Sequence, residues 1–377
     1  MNLLIIVCLL VGFLLGENVL GLVDAYTIEH LRPFIVLALG WMGFILGENL
    51  ELNKIIRIPP VLFALTMGQL LGTFLLTSFA IGFYLAHIAG WDMASVTVFS
   101  LLAGCMATTT DPITTLGFLH RTRVGGHRSH LLVQMVIIGD VFTVLLFLGV
   151  LSYSITHLAA GAEGQGNLLI NAVLHLGFGL ILGLILSTII KIDHDQREVT
   201  LMLIAAVTLA GGAEMAMGVS PLISCLFAGA FVMSASRAKQ AISDIFHQLE
   251  KPIYVGFLIL CGALFQPQRM GVLFLPLVIY VIVRAVGKLS GGFAISVSQG
   301  MENGTRMLGL GLLGQAGLAV VLAVNIYLEM DVEMGLSLVA LTTAGILINQ
   351  VLGLLGMRVF SQHLDKNSGN RKGEEKP

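Results

Sequence analysis

The stretch that decides the fold is AGCMATTTDPITTLGFLH, residues 103–120. Its apolar opening runs back to about residue 93 and suits a buried helix. Yet Thr110-Asp111-Pro112 in its middle is a helix-start signal, a capping side chain followed by proline at the first helical position. Proline also drives the residue before it out of the α region. One reading is a spanning segment broken in two, with Thr108, Thr109 and Thr110 in extended backbone and a second half-helix from Pro112. The competing reading ends the span at Thr108 and gives the Thr-Asp-Pro turn to an interfacial helix. Non-helical backbone at membrane depth survives only where it is buried in protein or lines a wet cavity, so the broken span implies a site.

The rest of the chain makes a membrane the setting. Of 377 residues 56% are hydrophobic and 11% charged, with a mean hydropathy of +0.93, whereas ordinary soluble chains carry about 25% charge. A soluble enzyme is excluded. A net charge of −2 leaves no basic face for nucleic acid. Cys8, Cys105, Cys225 and Cys261 lie singly in apolar sequence and signal neither a disulfide framework nor a thiolate metal site.

A spanning helix needs about 20 apolar residues. On that ruler twelve spans are expected, at about 3–20, 33–49, 60–87, 93–116, 129–152, 167–191, 198–215, 220–234, 252–269, 271–297, 305–327 and 335–359. The first is expected to be retained, since no basic residue precedes it and no small-residue cleavage signal follows. Residues 1–361 read as one transmembrane domain, and 362–377 as a short disordered aqueous tail. Sixteen of the 20 Lys and Arg residues fall on the side of the N-terminus. Arg32 and Arg269 fall on the other, and Arg284 and Lys288 lie inside the tenth span. By the positive-inside rule both termini are expected in the cytoplasm, with the chain integral to a plasma or inner membrane.

An ionisable group within a span is costly enough to be a functional candidate by default. Asp140, in QMVIIGDVFTVLLFLGV (134–150), lies near the middle of the fifth span and is the leading one. Its bare anion is poorly solvated there, so a proton or a bound cation is expected to occupy it in turn. A purely structural aspartate is the plainer alternative. Asp111 lies at the break, with Thr109, Thr110 and Pro112. Arg284 and Lys288, four apart in VIYVIVRAVGKLSGGFAI (278–295), share a helical face that must look inward. Lys288 needs an anionic or hydrogen-bonding partner, with Asp140 and Asp111 available. Arg284 is expected to snorkel or to pair with Glu214 of the seventh span.

The eleventh span, MLGLGLLGQAGLAVVLAVNI (307–326), carries Gly309, Gly311, Gly314 and Gly317 around Gln315. Tight helix packing explains such a run as well as an interruption does. Position favours the interruption. The broken fourth span is the middle of a triplet at about 60–152, the glycine-rich eleventh is the middle of one at about 271–359, and the two triplets start on opposite sides. Inverted-topology repeats with two interrupted helices crossing at mid-membrane are a transporter plan.

ATTTDPITTLG (107–117), the Gly139-Asp140 pair about thirty residues on, RAVGKLSGG (284–292) and FILGENLEL (44–52) together resemble the monovalent cation/proton antiporter superfamily, the sodium/proton exchanger and Kef-type branch. The resemblance covers nearly the whole chain. It implies an all-α sodium/proton antiporter-like fold and exchange of Na+ or K+ for protons by alternating access. No cofactor is implied beyond the transported ions, and the partners are monovalent cations, protons, the bilayer and a second copy in a homodimer. Carried over by position, it makes Asp140 the ion- and proton-binding aspartate, Thr110 and Asp111 the unwound segment and Lys288 the basic residue of the tenth helix. The chain departs from the family at Gly139, where electrogenic members have a second Asp and electroneutral ones an Asn. With one central carboxylate, electroneutral one-for-one exchange is the simplest stoichiometry. The alternative is a cation- or proton-coupled carrier of a small organic anion held by Lys288. The loop HRTRVGGHRSH (120–130) holds His120, His127 and His130. It reads either as a pH-responsive element or as a loop that is basic because topology requires it. No metal-ligand spacing, nucleophile elbow or phosphate loop marks an enzyme.

Overall fold

The computed structural model of the chain describes residues 2–50, 58–112, 115, 127–158, 168–190, 196–236, 239–298 and 308–374. Twelve α-helices lie among them: α1 (Asn2–Leu15), α2 (Ala25–Glu48), α3 (Pro60–His87), α4 (Met93–Thr108), α5 (His127–Leu158), α6 (Leu168–Ile190), α7 (Gln196–Met217), α8 (Pro221–Ala235), α9 (Lys239–Ala263), α10 (Met270–Ser298), α11 (Gly317–Glu329) and α12 (Val332–Glu374). Two 3-10 turns, Pro267–Arg269 and Leu308–Leu312, complete the order. Helix starts are set locally. Asp24 accepts from the Thr27 N–H at 2.8 Å and Asp92 from the Ser95 N–H at 2.9 Å, each satisfying an orphan donor of a first turn. Pro60 and Pro221 open α3 and α8, where their missing N–H costs nothing.

Among the described residues six helical stretches are long and apolar enough to cross a membrane: Ala25–Glu48, Pro60–His87, His130–Ile155, Val173–Ile190, Pro267–Ser298 and Val332–Val359. Shorter apolar helices are Leu4–Leu15, Met93–Thr108, Pro221–Ala235 and Gly317–Glu329. Phe79, Val173, Leu201 and Phe274 stand exposed on the bundle surface, a placement that suits lipid and not water. The chain is an integral membrane protein.

The helices sort into two groups by their packing. One, here the core, comprises α3, α4, α5, α10, the Leu308–Leu312 turn, α11 and α12. The other, here the panel, comprises α1, α2, α6, α7, α8 and α9. The tightest pairing in the panel is α2 on α8, made possible by glycine: a Cβ on Gly47 would lie 2.2 Å from the Leu226 carbonyl oxygen. The groups meet mainly where α11 packs on α9 and α5 on α6. Two faces of the bundle need names. Face A carries the start of α1 and the end of α2, where Glu48 accepts from Ser243 at 2.7 Å. Face B carries the α1–α2 turn, where Asn18 donates to the Phe265 carbonyl at 3.1 Å.

The irregular tail expected from residue 362 is corrected in part, because α12 continues to Glu374. Once a long helix is nucleated each further residue adds a bond, and proline is absent until Pro377.

Candidate functional site

α4 ends at Thr108. Thr109, Thr110 and Asp111 are non-helical, with ψ 150° at Thr109, and helix resumes at Pro112, where the Thr115 N–H donates to the Asp111 carbonyl at 3.2 Å. The break is therefore inside the protein, and Thr108, Thr109, Thr110 and Asp111 are all buried. The second break matches it. The 3-10 turn stops at Leu312, residues 313–316 are irregular, and α11 starts at Gly317. The two breaks cross. The Gln315 amide donates to the Met106 carbonyl at 2.9 Å and stands 3.2 Å from the Thr109 hydroxyl, while the Thr115 hydroxyl donates to the Gly311 carbonyl at 3.2 Å. A Cβ on Gly353 would lie 2.6 Å from the Gly314 Cα, so bare backbones are needed where α12 passes the second break. Gly317 is not under that constraint, as a Cβ there would meet nothing within 4 Å.

A broken helix leaves carbonyls without partners and a negative partial charge at its C-terminal end. α10 delivers two cations to those ends. Arg284, 0% exposed, donates to the carbonyls of Leu313 at 2.7 Å, Thr109 at 2.9 Å and Gly314 at 3.2 Å, and so grips both breaks. Lys288, 1% exposed, donates to the Thr108 carbonyl at 2.5 Å and the Thr110 hydroxyl at 2.9 Å. The expected pairing of Arg284 with Glu214 is overturned. Glu214 sits at the face-B end of α7 and pairs with Arg32 of α2 at 3.2 Å, while Arg284 lies a helix-half deeper with carbonyls closer at hand. Lys288 lies within Coulombic reach of Asp140 and makes no ion pair with it inside 4.0 Å.

Asp111 accepts from the Gln350 amide at 3.1 Å. Asp140, 5% exposed on α5, has the Thr110 peptide N–H beside its carboxylate, and its Oδ1 is buried with no hydrogen-bond partner. The Thr108 and Thr143 hydroxyls, 2.9 Å apart, tie the end of α4 to α5 one turn from Asp140. A cleft of about 30 Å³ is lined by Asn49, Ile58, Phe63 and, from α5, by Ile137, Ile138, Val141 and Phe142, the neighbours of Asp140 in sequence but not Asp140 itself. That is room for about one water molecule. Next to Asp140, a Cβ on Gly139 would meet only the Leu70 Cδ2 at 3.8 Å.

Over residues 3–355 the chain matches the family described as Sodium/hydrogen exchanger, transmembrane. The chain belongs to that family. This exchanger is accordingly a membrane transporter and not an enzyme. Its fold is similar to that of the sodium proton antiporter MjNhaP1 from Methanocaldococcus jannaschii at pH 8, with a TM-score of 0.67 and 17% identity over 93% of this chain and 92% of that one. A structure of the same antiporter from an electron-microscopy map gives 0.65 and 17% over 98% and 92%. No curated protein sequence matches the chain.

Sequence reasoning missed four residues of the exchanger's crossing: Tyr280, Thr143, Asn349 and Gln350. Asn349 donates to the Gln315 side-chain Oε1 at 2.9 Å, and the Gln315 side-chain amide donates to the Tyr280 hydroxyl at 2.7 Å. A signal existed. Two adjacent amides in an apolar span are too costly to be idle, and Tyr280 precedes Arg284 by one helical turn. Of the histidine loop, residues 116–126 with His120, Arg121 and Arg123 lie outside the described residues, and His130 is exposed.

Proposed function

We propose that this exchanger trades a monovalent cation, sodium or potassium, for protons at Asp140, by alternating access of the core relative to the panel. The observation that carries the reading is the state of the charges at the crossing. Lys288 stands within Coulombic reach of Asp140, yet the hydrogen bonds that it and Arg284 make go to carbonyl oxygens and one hydroxyl, and one carboxylate oxygen of Asp140 is buried without a partner. An unpartnered buried carboxylate is expensive, and a proton or a desolvated cation relieves the cost. Oxygens of the broken fourth segment, at Thr109, Thr110 and Asp111, complete the seat.

One carboxylate filled by one proton or one cation gives electroneutral exchange. Coupling follows from competition, because the two occupants exclude each other and the empty anion does not cross. The same reading has twelve crossings, triplets at about 60–152 and 271–359 related by inversion, both termini in the cytoplasm and a homodimer. The organic-anion alternative is weaker, since two of the three Lys288 N–H donors are already bonded to the broken segment and the Asp140 carboxylate stands within its Coulombic reach. The test is cation-driven dequenching of a pH gradient in proteoliposomes, with sodium, lithium and potassium added in turn. Asp140→Asn is expected to abolish the signal for every cation and Asp140→Glu to retain part of it. Full exchange by Asp140→Asn overturns the reading.

A further inference from the structure

Away from the crossing, at face B, the core and panel meet over a second set of charges, of which Glu214 is nearly buried, Glu329 half-buried and the Arg32 side chain 41% exposed. Glu214 on α7 has a side chain 9% exposed. Its Oε1 accepts from Arg32 of α2 at 3.2 Å, while its Oε2 is buried and without a partner. Both residues belong to the panel. From the core, Glu329 at the end of α11 comes within Coulombic reach of Glu214 and Arg32. Glu329 also lines a cavity of about 730 Å³ at face B, with Trp91, Asp92, Arg269 and Asp331 among the other walls. One guanidinium thus faces two carboxylates at the seam, with a wet cavity on one side.

Other charged groups around the seam do not supply the missing balance. Tyr327 of α11 faces Glu29 of α2 and Glu17 of the α1–α2 turn, both acidic. Arg269, the cation of the cavity, is engaged by Glu333 at 2.7 Å. With both carboxylates ionised, Glu214, Glu329 and Arg32 sum to one uncompensated negative charge in a poorly solvated place, which the closed seam tolerates badly.

We propose that Glu214 and Glu329 form a second proton-binding site, distinct from Asp140, which holds one proton while core and panel are closed at face B and releases it to the cavity as they part. The proton brings the charge of the trio to zero. Opening hydrates both carboxylates, so a solution poor in protons at face B favours the open seam and an acidic one keeps it shut. The site therefore makes access at face B answer to pH, separately from occupancy of the crossing.

The test reads seam opening and not transport, so a failed role for Asp140 leaves it intact. The native cysteines are all buried. Ser220, buried at the start of α8, lies 3.4 Å from Asn325 of α11 across the seam, and Ser220→Cys places a thiol there. Maleimide labelling of the purified protein in nanodiscs is followed from pH 5.5 to 9, in wild-type and Glu329→Gln backgrounds. The comparison cancels the thiol's own ionisation. Labelling is expected to accelerate with pH in the first background and to lag about tenfold behind it at pH 9 in the second, where a carboxamide stands in for the protonated acid. Glu214→Gln is expected to behave as Glu329→Gln does, and Arg32→Gln to label fast even at low pH. Superimposable profiles in the wild-type and Glu329→Gln backgrounds overturn the proposal. Infrared difference spectra of the unlabelled protein provide a second readout, in which a protonated-carboxyl band lost on raising the pH is absent from Glu329→Gln; an unchanged band also overturns it.

Discussion

Arg284→Met separates the two cations of the crossing by what each one holds. Three carbonyls, on two broken segments, lose their donors at once. Interhelical hydrogen bonds in membrane proteins average about 0.6 kcal/mol each, so three give a lower figure of about 2 kcal/mol. A buried acceptor left without a donor costs about 1–3 kcal/mol, so three of them set an upper figure of several kcal/mol. The desolvation recovered on deleting a guanidinium keeps the total below a simple sum of charged hydrogen bonds. Lys288→Met removes donors from one carbonyl and one hydroxyl, and the hydroxyl keeps its own O–H to donate. Its cost is about 1–3 kcal/mol. Reversible unfolding in mixed micelles measures both variants, and the expected order is Arg284→Met less stable than Lys288→Met, with exchange activity lost in each. Equal stabilities, or an Arg284→Met within about 0.5 kcal/mol of wild type, the range of a neutral surface change, would refute the idea that Arg284 clasps the two breaks.

Gly139 is replaceable on steric grounds, so Gly139→Asn is expected to fold with stability changed by less than about 1 kcal/mol, and Gly139→Asp to make exchange sensitive to membrane potential by adding a second carboxylate beside Lys288; potential-independent exchange by a folded Gly139→Asp counts against electroneutrality by a single charge. At face A, outside the membrane-crossing part of α9, hydrogen bonds to Glu250 and Glu48 push the His247 imidazole up to about 10 against its partial desolvation. A raised folded value means that its support of the α2–α9 junction is complete below pH about 6.5 and fades only as the pH climbs through about 10. Histidine NMR is expected to show no titration of His247 between pH 6 and 9, and a midpoint near 7 would contradict the ion pairs.

The break in the fourth segment was legible because it is a local contradiction, a capped helix start with proline inside apolar sequence. The ionisable residues of the crossing were legible for the same kind of reason, as charges where solvent is poor. What they touch was not. The acceptors for Arg284 and Lys288 are backbone carbonyls, and a carbonyl freed by an interrupted helix has no residue type to betray it. Carboxylates, or the membrane surface, are therefore the partners that sequence suggests for Arg284, whereas Glu214 pairs with Arg32. The amides Asn349 and Gln350 were overlooked because, uncharged, they do not disturb a hydropathy profile. Division of the helices into core and panel depends on close approaches such as Gly47 on Leu226, which spacing of glycines alone does not assign to a partner helix.

The interrupted helices and the basic residues of α10 explain one another, and the explanation reaches the ion seat. Two breaks at membrane depth expose several carbonyls that neither water nor regular helix can satisfy, so cations must be brought to them. Once Arg284 and Lys288 are bound to carbonyls, they are poor counter-ions for Asp140: fixed in place and not in contact. Their field still favours a negative charge nearby, while the missing direct bond leaves that charge incompletely satisfied. A carboxylate in strong ion pairing would hold no second cation, and one without any positive field would stay protonated. On the proposed reading Asp140 sits between those limits, where a proton and a cation can replace one another. On this argument, adding a side-chain donor that reaches Asp140 is as harmful to exchange as removing the acid.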